Sequence, residues 1–384
     1  MRDDTAGLSR RTVLRGTASA LAGAGVVGAA SAAPEGEDDR VRANVGYAAP
    51  GGRATAREAA AEVVREFAFD ALTVEIDEAA AGALRDRSDV RYVERDREME
   101  TLGQTLPWGI DRVDAETAHG AGETGSGADV AIIDTGIDSD HPDLVDNLGN
   151  GRAFLSGIES DNWEDDNGHG THCAGIAAAV DNSEGVVGVA TEATLHAVKV
   201  MNAVGTGLTS DIAKGIEYTA DQGWDVGSLS LGSGSYSETL KDACAYAQAE
   251  GVFLSAAAGN DGECTDCVSY PAAYEECVAV SATTESDDLA SFSSQGPEVE
   301  LAAPGEDIYS TYLAGYNTLS GTSMACPHVS GAAGQLMANG YTNGEARQRL
   351  KDTAEDVGLS ENESGAGLLD VAAALGLDSS DDLS

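Results

Sequence analysis

Three short segments carry residues whose types and order could support nucleophilic catalysis. A hydrophobic run over residues 130–133 ends in Asp134, so this carboxylate is expected at the carboxyl end of a buried strand, where α/β sheets form their sites. His169 follows in Asn-Gly-His-Gly-Thr-His, at the predicted start of a helix. Ser323 follows in Gly-Thr-Ser-Met-Ala, at the predicted start of another helix.

These residue types fit the hydrolysis of an acyl bond. A serine hydroxyl becomes an effective nucleophile when a base removes its proton, and His169 or His172 of the same segment could be that base. Asp134 could hold the imidazole in the required tautomer and stabilise the imidazolium. Taken singly, a serine at a helix start is commonly an N-cap. The combination, in the order Asp, His, Ser, is what indicates a hydrolase.

With this order of segments, residues 103–376 resemble the subtilisin-like serine proteases, the subtilases of peptidase family S8. The resemblance implies a three-layer α/β fold with a mostly parallel central sheet. It also implies a serine endopeptidase that cleaves peptide bonds through an acyl-enzyme. His172 and His328 become structural by the same resemblance, and the segment Ser-Ala-Ala-Ala-Gly-Asn assigns Asn260 to the oxyanion hole.

The resemblance also implies where a polypeptide substrate binds. Ser269 stands where glycine is common in the family, which leaves the depth and side-chain preference of the primary pocket open. Tyr270–Pro271 resembles a cis-proline position beside that pocket. The implied substrate-binding residues are Gly205, Thr206 and Gly207 on one edge, Ser230, Leu231 and Gly232 on the opposite wall, and Ala257 and Gly259 in the primary pocket.

Structural calcium is the ion that the family implies. An all-oxygen ligand set of this size suits Ca²⁺. A weaker second cation site is expected around Glu298 and Glu300. The ligands of the tight site would be the side chains of Gln104, Asp143 and Asn182 and the carbonyls of Val180, Glu184 and Val186.

Six cysteines are too few for a disulfide scaffold in a chain of 384 residues. Cys264 and Cys267 could form a disulfide, either could pair with Cys277, and free thiols remain an alternative. Cys173 resembles a buried thiol that some subtilases carry beside the histidine segment.

The elements that must position these residues follow from hydrophobic patterning. After Gly103, buried-strand runs alternate with helical stretches, which predicts a mostly parallel sheet with helices on both faces. The predicted strands are 129–133, 194–200, 226–231, 252–257 and 277–282, and the predicted helices are 170–180, 211–222, 237–250 and 322–339.

The segment before Gly103 has a different character. Residues 34–57 are polar and predict a linker, and residues 58–67 have helical character. Leu72, Val74 and Ile76 alternate as in a strand, residues 78–87 predict a helix and residues 90–93 a strand. The family resemblance makes residues 34–102 a propeptide that acts as intramolecular inhibitor and chaperone, with processing near Leu102–Gly103.

The N-terminus predicts export. Paired arginines in Ser-Arg-Arg-Thr-Val-Leu-Arg precede an Ala/Gly-rich stretch and the cleavage pattern Ala-Ser-Ala. Residues 1–33 therefore predict a twin-arginine signal peptide and an extracellular protein. Residues 377–384 predict a frayed acidic tail.

The charge is extreme and unevenly distributed. The chain carries 66 acidic and 22 Lys+Arg residues, a net charge of -44. Residues 103–384 hold 47 acidic and 8 basic residues, a net charge of -39. Such a surface repels phosphate, which argues against nucleic-acid binding, and molar salt would screen its self-repulsion. We therefore expect adaptation to high salt, as in halolysins.

Other functions fit the sequence less well. Beyond the N-terminal segment it lacks an apolar run long enough to span a membrane. A lipase would carry Gly-x-Ser-x-Gly before its acid and histidine, and a zinc protease would carry His-Glu-x-x-His; neither motif is present. The alternative that stays open is a non-catalytic, protein-binding subtilase homologue. Family members are usually monomers, and we expect one here.

Overall fold

The computed structural model describes residues 40–85, 87–96, 103–262 and 264–379. The chain divides into two compact units, Met1–Glu100 and Thr101–Ser384, which are described separately. The predicted signal peptide, the processing region up to Leu102 and the last five residues of the predicted acidic tail lie outside the described residues.

The first unit is an α+β unit built on a four-stranded antiparallel sheet in the order β2-β3-β1-β4. Two short helices cross one face of the sheet, and their buried residues join the sheet in one apolar core. Its elements are β1 Arg40–Tyr47, α1 Pro50–Ala59, β2 Glu62–Phe67, β3 Ala71–Asp77, α2 Glu78–Arg85 and β4 Val90–Arg95.

Two predictions for this unit were wrong. The predicted linker contains β1 and α1, and the segment predicted as helical from residue 58 is mostly strand β2. β1 is a central strand that pairs with β3 on one side and β4 on the other. Its partners lie 25 to 52 residues away in sequence, so the local polar composition did not reveal it. The predicted strand, helix and strand after residue 70 are present.

The second unit contains an eight-stranded sheet in the order β12-β11-β10-β9-β5-β8-β6-β7. All neighbouring pairs in it are parallel except β6 and β7. The strands are β5 Asp129–Asp134, β6 Arg152–Leu155, β7 Ile158–Ser160, β8 Thr194–Lys199, β9 Val226–Leu229, β10 Phe253–Ala257, β11 Val278–Thr283 and β12 Val299–Pro304.

Helices cover both faces of this sheet. A separate hairpin, β13 Ile308–Tyr312 and β14 Gly315–Leu319, was not predicted from sequence. The helices are α3 Trp108–Arg112, α4 Ala115–Ala121, α5 His169–Ala178, α6 Thr209–Gln222, α7 Glu238–Ala249, α8 Thr322–Ala338, α9 Asn343–Asp352, α10 Glu361–Ser364 and α11 Val371–Ala374.

The alternation of side chains along the central strands produces the three layers. Successive side chains of a strand point to opposite faces. Val130 and Ile132 of β5 pack in the core that contains α5 and α8, whereas Ala131 and Ile133 pack in the core that contains α6 and α7. The same strand thus joins two apolar cores, which is why its sequence is a continuous hydrophobic run. The predicted mostly parallel three-layer fold is confirmed.

The layer with α5 and α8 brings two predicted catalytic residues together. The two helices pack closely because α8 carries small residues where it meets α5. A Cβ atom on Gly331 would lie 2.7 Å from the carbonyl oxygen of Ala177 and 2.7 Å from Cβ of Val189. Within the described part of the chain, no helix has the length and apolar character needed to cross a lipid bilayer.

We expect Gly331→Ala to destabilise the protein by about 1–3 kcal/mol, because the added methyl group must push α8 away from α5. The measurement is a urea unfolding curve at high salt. Gly344→Ala is the matched control: it lies in α9 with no atom within 4 Å of the new Cβ, so it should leave stability unchanged or raise it slightly. Equal effects of the two substitutions would contradict close packing at Gly331.

Candidate active site

Asp134 is the last residue of β5, and its side chain is completely buried. The backbone amides of Val200 and Met201 donate to its carbonyl oxygen at 2.8 and 3.1 Å, which anchors the strand end to the segment after β8. Its Oδ1 accepts hydrogen bonds from the amide of Thr135 at 2.7 Å and from His169 Nδ1 at 2.8 Å. These two donors hold the buried carboxylate in a single orientation.

His169 is the first residue of α5, and the loop before it forms its support. The Asp165 carboxylate accepts hydrogen bonds from the amides of Asn167, Gly168 and Thr171 and from the Thr171 hydroxyl at 2.6–3.0 Å. Gly168 has a φ of 103°, a left-handed conformation that glycine adopts without strain. The Asp165 carboxylate therefore accepts hydrogen bonds from backbone amides that have no partner within the helix because they lie at its start.

The surroundings shift the pKa of His169 upward and the pKa values of His172 and His328 downward. Burial disfavours the charged imidazole, but the Asp134 carboxylate outweighs burial and raises the pKa of His169 well above its usual range. Burial also raises the pKa of the Cys173 thiol, so the neighbouring sulfur is neutral. By contrast, burial lowers the pKa of His172 to about 4 and that of His328 to about 4.

His172 and His328 have structural positions. His172 Nε2 donates to the carbonyl oxygens of Ile308 and Asn317, both at 3.1 Å, which ties α5 to the β13–β14 hairpin. His328 Nδ1 donates to the Met324 carbonyl at 2.9 Å within α8. The other ring nitrogen of each is buried without a hydrogen-bond partner, as expected for neutral rings.

Ser323 is the second residue of α8, at the positive end of the helix dipole. Its hydroxyl donates to the Ser230 carbonyl at 3.1 Å, and the Ser230 hydroxyl donates back to the Ser323 carbonyl at 2.8 Å. This reciprocal pair fixes the start of α8 against the segment after β9. A serine side chain can reach another acceptor by rotating about one bond, and His169 lines the same cleft.

Asn260 follows β10 and also faces the cleft. Its Oδ1 accepts hydrogen bonds from the amide of Thr322 at 2.9 Å and from the Thr322 hydroxyl at 3.1 Å. Because the oxygen is engaged on one side, the Nδ2 amino group remains the donor available to a ligand. The Thr322 hydroxyl donates to Asn260 while accepting from the amide of Gly259 at 3.1 Å. Thr322 was not singled out in the sequence, although it directly precedes Ser323.

One cleft of about 680 Å³ collects the predicted substrate residues. It also contains Tyr270, which was expected beside the primary pocket, and Met201, Ile212 and Leu240, which sequence analysis did not assign to the site. The Tyr270–Pro271 peptide bond is cis, as predicted. The predicted residues that line this cleft are His169, Gly205, Thr206, Gly207, Ser230, Leu231, Gly232, Ala257, Gly259, Asn260 and Ser323.

The predicted calcium ligands also converge. Gln104 Nε2 donates to the carbonyls of Val180 and Val186 at 2.7 and 3.0 Å. Asp143 accepts from the amide of Val186 at 2.8 Å and from Asn182 Nδ2 at 3.3 Å. The carbonyl oxygens of Val180 and Val186 thus converge on one side-chain amide group. Converging oxygen atoms of this kind, together with the Asp143 carboxylate, are suitable calcium ligands. The backbone amide of Glu184 donates to Asn182 Oδ1.

The expected second cation site is different. Glu300 forms ion pairs with Arg347 and Lys351, and Arg347 also donates to the carbonyls of Glu275 and Cys277. The protein's own cations therefore neutralise Glu300, while Glu298 is exposed. A bound ion at this pair of glutamates stays a prediction, and the two basic side chains of α9 beside Glu300 argue against it.

The structure decides between the alternative pairings that the sequence left open for the cysteines. Cys264 and Cys267 form a disulfide, with Cα atoms 6.0 Å apart, and Cys277 is free and buried. Cys173, Cys244 and Cys326 are also free and buried. Cys173 Sγ lies 3.4 Å from the Ser323 carbonyl oxygen, so this thiol packs beneath the candidate catalytic residues.

Comparison with known proteins agrees with the geometry. A model described as the subtilase family matches residues 125–367. An alkaline protease of Shouchella clausii is 45% identical over 317 residues, 82% of this chain and 81% of that protein. Subtilisin Savinase of Lederbergia lenta is 47% identical over 274 residues, 71% of this chain and 99% of that protein. Subtilisin E of Bacillus subtilis (strain 168) is 42% identical over 323 residues, 83% and 84% of the two chains.

The titration of the histidines is a direct test of this site. We expect the His169 imidazole to titrate above the usual histidine range, and Asp134→Asn to lower its pKa, because burial then acts without the opposing carboxylate. Proton NMR of the imidazole resonances measures both. His172 and His328 are internal controls that should stay neutral down to about pH 4. An unchanged pKa of His169 in Asp134→Asn would disprove the electrostatic coupling.

Proposed function

The chain belongs to the subtilase family, and from this we propose that Asp134, His169 and Ser323 hydrolyse peptide bonds as the catalytic triad of a serine endopeptidase. The single observation that carries the proposal is the 2.8 Å contact between Asp134 Oδ1 and His169 Nδ1, with His169 and Ser323 lining one cleft. The carboxylate keeps a proton on Nδ1, which leaves Nε2 as the base.

In the first step, Ser323 Oγ attacks the scissile carbonyl carbon and its proton passes to His169 Nε2. The resulting imidazolium is stabilised by Asp134 and then protonates the leaving amine. Water releases the acyl group by the same route in reverse. The base must be neutral to begin this cycle. Because the pKa of His169 is raised, activity is expected to rise with pH through a midpoint above the usual histidine range.

Asn260 would stabilise the negative charge on the substrate oxygen in the tetrahedral intermediate. Support comes from Thr322, which binds the amide oxygen and leaves the amino group free to donate. A donor fixed in advance needs no reorganisation during the reaction. Asn260→Leu is expected to lower kcat about 10²–10³-fold, the loss known from subtilisin itself.

We propose that the substrate is an extended polypeptide. Residues 205–207 and 230–232 line the same cleft, and an extended chain between them could add backbone hydrogen bonds as a further strand. Gly259 lies next to Ser269: a Cβ on Gly259 would come within 2.6 Å of the Ser269 hydroxyl. The hydroxyl of Ser269 therefore narrows the primary pocket, which favours small or polar side chains there.

We propose that the enzyme is made as a secreted zymogen. The first unit has its own apolar core, yet Phe69, in the turn between β2 and β3, is 61% exposed and stacks on Phe67 of β2 at 4.7 Å. Exposed apolar groups that lie together in this way can mark a surface that binds a partner. On this proposal, residues 34–102 are an inhibitory propeptide, and the twin-arginine segment exports the chain to the extracellular medium.

Salt adaptation of the halolysin type is part of the same proposal. The net charge of -39 on residues 103–384 would destabilise the compact state at low ionic strength. Molar salt shortens the Debye length to about 3 Å and screens that repulsion. The acidic surface therefore suits a protein that works in a concentrated brine.

A paired experiment tests the catalytic assignment and the processing together. The full chain and Ser323→Ala are expressed at high salt with calcium, followed by intact-mass analysis and digestion of an unstructured protein. We expect the wild type to lose about residues 1–102 and to digest the substrate, and the variant to do neither. A variant that matures and digests equally well would show that Ser323 is not the nucleophile.

We also propose that Gln104, Asp143, Asn182 and the adjoining carbonyls hold structural calcium, which stabilises the loop over residues 180–186. In the Ser323→Ala protein, removing calcium with a chelator should lower stability by about 4 kcal/mol when free calcium had exceeded Kd a thousandfold. Calcium should restore the thermal midpoint and magnesium should not.

Two variants give this calcium experiment its specificity. Asp143→Asn should lose sensitivity to the chelator, because it removes a charged ligand. Asp146→Asn, at an exposed carboxylate three residues away, should keep it. A thermal midpoint of the Ser323→Ala protein that does not respond to the chelator would argue against a calcium site.

A further inference from the structure

Lys199 is a buried cation beneath the active site that has no role in the mechanism above. It is one of four lysines in the chain, and its side chain is only 2% exposed. Its Nζ donates to the Thr135 carbonyl and, at 2.6 Å, to Asp166 Oδ1. Asp166 lies near the surface, with 57% of its side chain exposed.

The position of Lys199 connects the two elements that carry the Asp–His pair. It is the last residue of β8 and is the register partner of Asp134 in the parallel ladder. Thr135 directly follows Asp134, and its hydroxyl accepts from the amide of Gly170 at 2.9 Å. Asp166 is three residues before His169, beside the carboxylate that supports the start of α5. The ammonium group therefore bonds to the segment after Asp134 and to the segment before His169.

A contribution to stability does not by itself explain why a lysine is buried at position 199. Removing an ammonium group from water costs several kcal/mol, and an apolar side chain of the same length is often equal or better for stability. The surroundings are acidic, because Asp134 and Asp165 are also buried. A buried positive charge offsets these carboxylates and holds a fixed distance between two segments.

Resting on the proposed function, we propose that Lys199 is a positioning residue of the catalytic pair. Its ammonium group holds the end of β5 and the loop before α5 in the register that lets Asp134 meet His169. Its charge also opposes protonation of His169, whereas the Asp134 carboxylate favours it.

The effect of the Lys199 and Asp166 charges on the pKa of His169 can be tested by its sign. Removing a cation favours the imidazolium, and removing an anion disfavours it. Asp134 on β5 and Cys173 on α5 act on His169 directly, and His172 on α5 interacts with it. The Lys199–Asp166 ion pair joins β8 to the loop before α5, where Asp165 also lies.

The experiment compares Lys199→Met and Asp166→Asn with the wild type at molar salt. Lys199→Met should move the acid limb of the kcat/KM–pH profile to higher pH, and Asp166→Asn should move it to lower pH. The kcat of Lys199→Met should fall about tenfold or more through misplacement of the pair, with KM within about twofold. Lys214→Met is the matched control: that lysine pairs with Glu217 at 2.7 Å on the surface, with 42% exposure, so neither quantity should change.

A fall in the kcat of Lys199→Met at retained KM would establish the positioning role, and opposite shifts of the two acid limbs would show that both charges act on His169. Shifts in the same direction, or an unchanged profile in a folded Lys199→Met protein, would overturn the proposal. If Lys199→Met does not fold, Asp166→Asn tests the same bond, and an unchanged kcat in that variant would overturn the proposal. The His169 titration by NMR, in a Ser323→Ala background, repeats the comparison without activity. A wild type that cleaves no substrate would instead count against the proposed function.

Discussion

The hydrogen bond between Asp134 and His169 places strict demands on the rest of the second unit. A fully buried carboxylate must be hydrogen-bonded to be tolerated, and its donors come from two different elements. The strand must therefore end, and the helix must begin, within a few tenths of an ångström of the required positions. The central sheet provides this precision because β5 is clamped between neighbouring strands and between two apolar cores.

Close backbone approach is the second requirement. A Cβ on Gly170 would lie 2.2 Å from the carbonyl oxygen of Gly136, so only glycine lets α5 start directly against the segment after β5. On the other side, the Ser230–Ser323 pair fixes the start of α8. The short distances between backbones thus require glycines and small residues around the candidate catalytic segments, and only a few side chains among them could take part in the proposed chemistry.

Sequence patterns predicted the parts of the molecule in which local signals agree with the fold. The strands with continuous hydrophobic runs and the long helices that alternate with them were predicted near their observed bounds. In the first unit the same approach failed for β1 and β2, because their stability comes from pairing with strands distant in the chain. The order of Asp134, His169 and Ser323 was informative because it identified a family. None of these three side chains would have been informative alone.

The sequence by itself therefore determined the fold class, the candidate catalytic side chains and the acidic character of the chain, since composition, periodicity and motif order are all read directly from the chain. The tertiary structure alone decided the orientation of Asn260 through Thr322, the pairing of Glu300 with Arg347, and the burial of Lys199. Each of these joins residues between 33 and 62 positions apart. Such contacts exist only after packing has brought the segments together, and no local pattern in the chain encodes them.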